Sequence, residues 1–250
     1  MPEFDFRSTR LFVDTPLSQG ATVNLEREQS NYLGNVLRLS AGDTILVFNG
    51  HDGEWRTTIE GRKRPDQLLI VAQTRSQDRL PDLTYVFAPL KHARLDYMVQ
   101  KAVEMGASCL QPVLTRFTQV SRVNLERMRA NVIEAAEQCG ILSLAAVEEP
   151  VPLGRFLEDR QPERLLVFCD EAAEVSDPIN ALKPAAPARG VDVLIGPEGG
   201  FAEDERALLL RQGRALRISL GPRILRADTA GVAALAIVQA ALGDWADRTG

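Results

Sequence analysis

The stretch VDVLIGPEGGFAEDE, residues 191–205, changes character at its centre. An apolar run stops at Gly196-Pro197-Glu198-Gly199-Gly200, and an acidic helical start follows at Glu203, Asp204 and Glu205. A buried strand that ends in a glycine-rich turn and feeds a helix is the repeating unit of an α/β domain. A second stretch, SLGPRILRADTA (219–230), has the same frame: apolar strand, Gly221-Pro222, a charged residue, then a helix. In open α/β sheets ligands bind in the crevice beyond the carboxyl ends of the strands. Glycine at such a bend lets the backbone approach a ligand closely.

The turns also limit what the ligand can be. A glycine-rich turn before a helix usually cradles phosphate. Here Pro197 has no N–H to offer, and the carboxylates of Glu203, Asp204 and Glu205 satisfy the positive helix end and would repel an anion. Neither GxxxxGK(S/T) nor GxGxxG is present. A ligand without phosphate and with positive charge fits better, and S-adenosylmethionine, a nucleoside joined to a sulfonium and an amino acid, meets that description. Taken singly, each Gly-Pro turn also reads as a plain strand end; the matched pair is what favours a site.

Outward from these turns the alternation continues. RLLVFCD (164–170) is a third buried-strand run, and LTYVFAPL (83–90) and CLQPVL (109–114) are two more. ARLDYMVQKAVEMG (93–106) places Leu95, Met98, Val99 and Ala102 on one helical face, with Gly106 as its stop. NLERMRANVIEAAEQCG (124–140) is amphipathic, with Asn124 as N-cap and Gly140 past its end. Residues 83–250 therefore read as one α/β domain with a mainly parallel sheet. The first 73 residues differ. TILVFN (44–49), WRTTIE (55–60) and LLIVAQ (68–73) are short strands bounded by turn residues, and SNYLGNVLRLS (30–40) is a short helix or turn. They predict a small barrel or sandwich. TRSQDRLPD (74–82) is polar, ends near a proline and serves as the linker.

The totals exclude several classes. A chain of 250 residues, 45% hydrophobic and 25% charged, can bury a core without disulfides or metals. A net charge of −5 argues against nonspecific nucleic-acid binding by the chain as a whole but leaves room for a local basic patch. Cys109, Cys139 and Cys169 are dispersed, read as buried, and suit a reducing cytoplasm. With only His51 and His92, no zinc site is expected. The start MPEFDFRSTR carries acid and lacks an apolar core, so no signal peptide is expected there, and AGVAALAIVQAALGDW (230–245) reads as too short to span a membrane.

Together, LIGPEGGFAEDE and LGPRILRADTA resemble the signature of SPOUT-class methyltransferases, and more narrowly the family that methylates N3 of a uridine in bacterial 16S ribosomal RNA. NVLRL (35–39), DYMVQKAVEMGA (96–107) and EAAEQCG (134–140) extend the resemblance over nearly the whole chain. It implies an N-terminal PUA-like barrel that binds RNA, a C-terminal α/β domain with a trefoil knot, a homodimer with the active site at its interface, and ribosomal RNA or the small subunit as partner. It also implies S-adenosylmethionine held by three loops. The matching positions are Cys169 and Glu171; Ile195, Gly196, Pro197, Glu198, Gly199 and Gly200; and Leu220, Gly221, Pro222, Ile224, Leu225 and Arg226. Two positions depart from the family. Ala227-Asp228-Thr229 stands where Thr-Glu-Thr is usual, and Ile141 stands where an arginine is common after EQCG.

Methyl transfer to uridine N3 needs aligned reactants and a proton acceptor. Glu198 and Asp228 are the nearest carboxylates in sequence, and Asp228 reads equally well as an N-cap for a helix over 229–242. Arg226 could stabilise the uridine anion. Arg7, Arg10 and Arg38, then Lys91, Arg94, Lys101 and Arg223, are candidate RNA contacts, each also readable as a solvated or paired surface group. GRKRP (61–65) reads as a hairpin tip, and Tyr32 and Trp55 read as core rather than base-stacking groups. Two rival readings remain: a knotted RNA- or ribosome-binding assembly factor without catalysis, kept open by Ala227 and Ile141, and a methyltransferase acting on another RNA.

Overall fold

The computed structural model describes residues 7–61, 64–91, 93–120, 122–173, 177–185 and 189–245. The chain divides into two units, one of Met1–Arg79 with Ala136–Leu144 and one of Leu80–Ala135 with Ala145–Gly250.

The first unit is built on a five-stranded sheet in the order β1-β3-β4-β5-β2. Its strands are β1 (Arg10–Phe12), β2 (Thr22–Asn24), β3 (Thr44–Phe48), β4 (Glu54–Glu60) and β5 (Gln67–Arg75). Helix α1 (Arg27–Asn31) runs into a wider helical turn over Tyr32–Val36. Pairing is antiparallel along β3-β4-β5-β2, and β1 joins β3 in parallel, so the sheet is a half-barrel. Its core gathers Leu11, Leu33, Ile45, Val47, Ile59, Leu68 and Ile70, with Tyr32 and Trp55 packed against it. Trp55 Nε1 donates to Asp52 O at 2.8 Å, which satisfies its one polar atom. β4 and β5 pair antiparallel across residues 61–66, so GRKRP lies at a hairpin connection; Arg62 and Lys63 fall outside the described residues.

The cut between Arg79 and Leu80 falls within the 74–82 segment read as a linker. β5 continues through Arg75, and residues 136–144 belong with the first unit. The reason is burial: Ala136 and Leu142 are enclosed with Phe48, and Ile141 and Leu144 pack against that cluster. Ile141 therefore sits in an apolar setting that an arginine would not share.

The second unit carries β6 (Leu83–Phe87), α2 (Ala93–Glu104), β7 (Cys109–Leu114), α3 (Leu125–Cys139, whose last turn belongs to the first unit), β8 (Ala146–Val147), β9 (Val151–Pro152) and α4 (Leu153–Asp159). β10 (Arg164–Cys169), α5 (Pro178–Leu182), β11 (Arg189–Ile195), α6 (Glu203–Leu210), β12 (Ala215–Ile218) and α7 (Ala227–Leu242) complete it. The sheet order is β12-β10-β11-β6-β7-β8, with β9 also on β7, and every pairing is parallel. Val86, Leu166, Phe168, Leu194, Phe201 and Leu209 form part of the core. Each such side chain contributes about 1.5–3 kcal/mol relative to exposure. Met98, Val99, Ala102 and Val103 are the buried face of α2, and Asn124 Oδ1 accepts from Arg127 N at 3.0 Å as the α3 cap. The cysteines are less buried than the sequence suggests: Cys139 is exposed and the other two are half-buried. No helix among the described residues is long and apolar enough to cross a membrane.

Candidate functional site

Cys169, the last residue of β10, pairs in register with Ile195 on β11 and with Ile218 on β12. Three adjacent parallel strands thus stop at one level, and their loops leave the same edge of the sheet. Those loops enclose a cavity of ≈ 210 Å³. Cys169, Asp170 and Glu171 come from the first loop, Ile195 to Glu198 with Gly200 and Phe201 from the second, and Ser219 to Gly221 with Arg223 to Leu225 from the third. Ala227 and Ala230, on the first turn of α7, close the wall.

The structure brings together Cys169, Glu171, Ile195, Gly196, Pro197, Glu198, Gly200, Leu220, Gly221, Ile224 and Leu225 around this cavity. Arg223, expected as an RNA contact, lines the cavity too. Gly199, Pro222 and Arg226 flank it without lining it. Gly199 lies against Phe117 instead: a Cβ there would stand 3.1 Å from Phe117 Cβ. Asp170, Phe201, Ser219, Ala227 and Ala230 are wall residues that sequence reasoning missed. Ala227 is buried in that wall and presents only a methyl group to it.

Asp170 ties the three loops together. Its Oδ2 accepts from Arg206 Nε at 2.7 Å on α6, beyond the second loop, and from Arg217 Nε at 3.0 Å on β12, before the third. Burial alone pushes its carboxyl up, but the hydrogen bonds from Arg206 and the Ala172 N–H, with the charges of Arg206 and Arg217, outweigh burial and hold it below the usual value. Burial, and then the Asp170 charge, push the Cys169 thiol up to about 12, so it stays protonated and is no nucleophile at neutral pH.

The two candidate proton acceptors share one cation. Arg94, near the start of α2, donates from Nη1 to Glu198 Oε1 at 2.6 Å and from Nε to Asp228 Oδ2 at 2.9 Å. Asp228 is not the N-cap considered above. α7 begins at Ala227 after Arg226, and Asp228 lies in its first turn, where Oδ1 accepts from Thr229 N at 2.8 Å. The Arg94 hydrogen bond chiefly holds the Asp228 carboxyl below its ordinary value. Below this pair, Tyr85 stacks on Phe87 at 5.0 Å, and a Cβ on Gly231 of α7 would collide with Tyr85 Oη. Glycine at 231 therefore lets α7 lie close on the sheet.

The proposed RNA contacts are not equivalent. Arg10 is corrected: it is buried, with Nε 2.9 Å from Glu54 Oε2, and Arg75 Nη2 holds the same oxygen at 2.7 Å. A buried guanidinium in that pair maintains the half-barrel and cannot grip phosphate. Arg94 is likewise committed to carboxylates. Lys101 pairs with Glu104 at 2.7 Å and lies 5.7 Å from the Tyr97 ring centroid. Arg7, Arg38, Lys91 and Arg226 are exposed.

Residues 77–239 match the family model described as RNA methyltransferase domain, and residues 25–71 match that of the RNA methyltransferase PUA domain. The ribosomal RNA small subunit methyltransferase E of Synechocystis sp. is 35% identical over 228 residues, covering 89% of this chain and 74% of that protein. The chain belongs to this methyltransferase family. Solved structures agree with that membership. A methyltransferase from Legionella pneumophila in complex with the bound cofactor SAM is 29% identical, with a TM-score of 0.83 over 95% of this chain and 99% of that one. The family's enzyme from Neisseria gonorrhoeae, bound to S-adenosyl methionine, is 27% identical, with a TM-score of 0.83 over 96% of this chain and 100% of that one.

Proposed function

We propose that the chain transfers a methyl group from S-adenosylmethionine to N3 of a uridine in 16S ribosomal RNA, as a cytoplasmic homodimer whose α/β unit is knotted. The observation that carries this reading is the cavity at the three in-register strand ends. Its apolar walls, Ile195, Leu220, Leu225, Ala227 and Ala230, suit an adenosine, and Glu171 and Glu198 suit a positively charged tail. Arg223 is the one cation among the wall residues. Pro197 withholds a backbone donor that a phosphate would need. Loop residues 169–171, 195–200 and 220–226 would hold the cofactor, which supplies an electrophilic methyl group.

The chain's own residues do the rest. The loops orient the donor against the base, and alignment of that kind lowers the barrier strongly. The target base must be unpaired or flipped to expose N3. Arg226, exposed at the mouth of the third loop, stabilises the negative charge that develops on the uracil ring. Arg7 and Arg38 of the first unit and Lys91 of the second contact phosphates.

The test is a nucleoside digest of ribosomal RNA from cells with and without the protein. Loss of 3-methyluridine from the small-subunit fraction is expected; an unchanged level overturns the reading, and a loss confined to another RNA redirects it. Arg226→Ala should abolish transfer while calorimetric cofactor affinity stays within about tenfold, ~1.4 kcal/mol.

A further inference from the structure

Resting on the function proposed above, the geometry divides labour between the two carboxylates that the sequence left equivalent. Glu198 lines the cavity, whereas Asp228 does not. Both Asp228 oxygens are engaged, Oδ2 with Arg94 Nε at 2.9 Å and Oδ1 with the Thr229 N–H at 2.8 Å. Glu198 is held through Oε1 by Arg94 Nη1 at 2.6 Å. The Asp228 side chain is 16% exposed and that of Glu198 is 42% exposed, so the first is the better shielded and the second the more accessible.

We infer that Glu198 accepts the N3 proton of the target base, and that Arg94, anchored on Asp228, is the positioning residue that holds Glu198 in place. Arg94 joins three segments: the start of α2, the second cofactor loop and the first turn of α7. Its remaining nitrogen, Nη2, is buried without a hydrogen-bond partner among the described residues, a cost tolerated where the other two donors are each held on a carboxylate. In the step itself the N3–H bond breaks and the proton passes to Oε2 of Glu198. The electron pair left on N3 forms the new bond to the methyl carbon. The carbon–sulfur bond breaks with its pair kept by sulfur, which becomes a neutral thioether, and Glu198 later returns the proton to water. Asp228 stays ionised throughout, because its charge is what fixes Arg94.

The experiment compares Glu198→Gln, Asp228→Asn, Arg94→Ala and Arg94→Lys in the full-length protein. It uses small-subunit RNA lacking the modification and follows cofactor affinity by calorimetry and the pH dependence of kcat. Glu198→Gln should lower kcat, measured at saturating cofactor, by about 100-fold or more and remove the acid limb of the pH profile. Asp228→Asn and Arg94→Ala should also lower kcat but keep the acid limb, and Arg94→Lys should recover part of the loss. The inference is overturned if Asp228→Asn removes the acid limb while Glu198→Gln retains it, or if Arg94→Ala leaves kcat unchanged. Failure of the wild-type protein to form 3-methyluridine while binding the cofactor overturns the underlying function as well, so the two failures are told apart by the wild-type control.

Discussion

At the first Gly-Pro turn Pro197 is buried, and Phe201, Phe117 and Glu171 stand against its glycines. At the second, Gly221, Pro222, Arg223 and Ile224 are all exposed, and among the described residues no atom beyond its chain neighbours lies within 4 Å of a Cβ built on Gly221. The frame is shared, yet one turn packs against its own chain, while the second runs exposed between the buried Ile218 and Ala227. Ile224 is 93% exposed, an apolar side chain left in water beside the cavity. A second copy of the chain, as in the proposed homodimer, would give that side chain a place to bury.

Removing the element that unites the two turns should have the largest effect. Asp170→Ala leaves Arg206 and Arg217 without their shared carboxylate and should cost about 3 kcal/mol in urea unfolding. The same group predicts a pH dependence. Its pKa is depressed in the folded protein, so its contribution is complete above the unfolded value near 3.9 and is lost as pH falls through the lower folded value. Unfolding curves between pH 7 and pH 3 should show a steeper loss of stability for the wild type than for Asp170→Asn.

Gly196→Val tests the packed turn. The new Cβ would stand 3.1 Å from Phe201 Cζ, against a buried ring with little freedom to yield. About 2 kcal/mol of overpacking is expected, with a matching fall in calorimetric cofactor affinity. If affinity is normal, the first turn does not shape the cavity. Gly221→Ala tests the open turn. With φ at +100° the cost is backbone strain alone, about 1 kcal/mol. A loss equal to that of Gly196→Val would erase the distinction between the turns.

Ile224→Ser should change monomer stability least, by less than about 0.5 kcal/mol. Sedimentation should nevertheless show weaker self-association. An unchanged oligomeric state would mean that something other than a second copy covers the open turn.

Much of this architecture was legible in the residues. Val191 to Ile195 and Leu165 to Phe168 read as buried strands because nearly every side chain is apolar, and α2 and α3 carried their caps and faces openly. Short elements such as β8, β9 and α5 have too few residues for periodicity to register. The partition of the chain was also hidden, because Ala136, Ile141 and Leu142 declare their partner, Phe48, only through packing far away in sequence. Arg10 misled for a related reason: an arginine near a chain start looks like a surface charge until Glu54 is brought beside it.

Local chemistry by itself determined where strands end and which bends lack a phosphate-binding donor, since proline and glycine act within their own few residues. Tertiary structure decided that three strand ends lie at one level, that Asp170 joins their loops, and that Arg94 distinguishes Glu198 from Asp228. Those relations rest on hydrogen bonds between residues as many as 134 positions apart, and no short-range pattern encodes them.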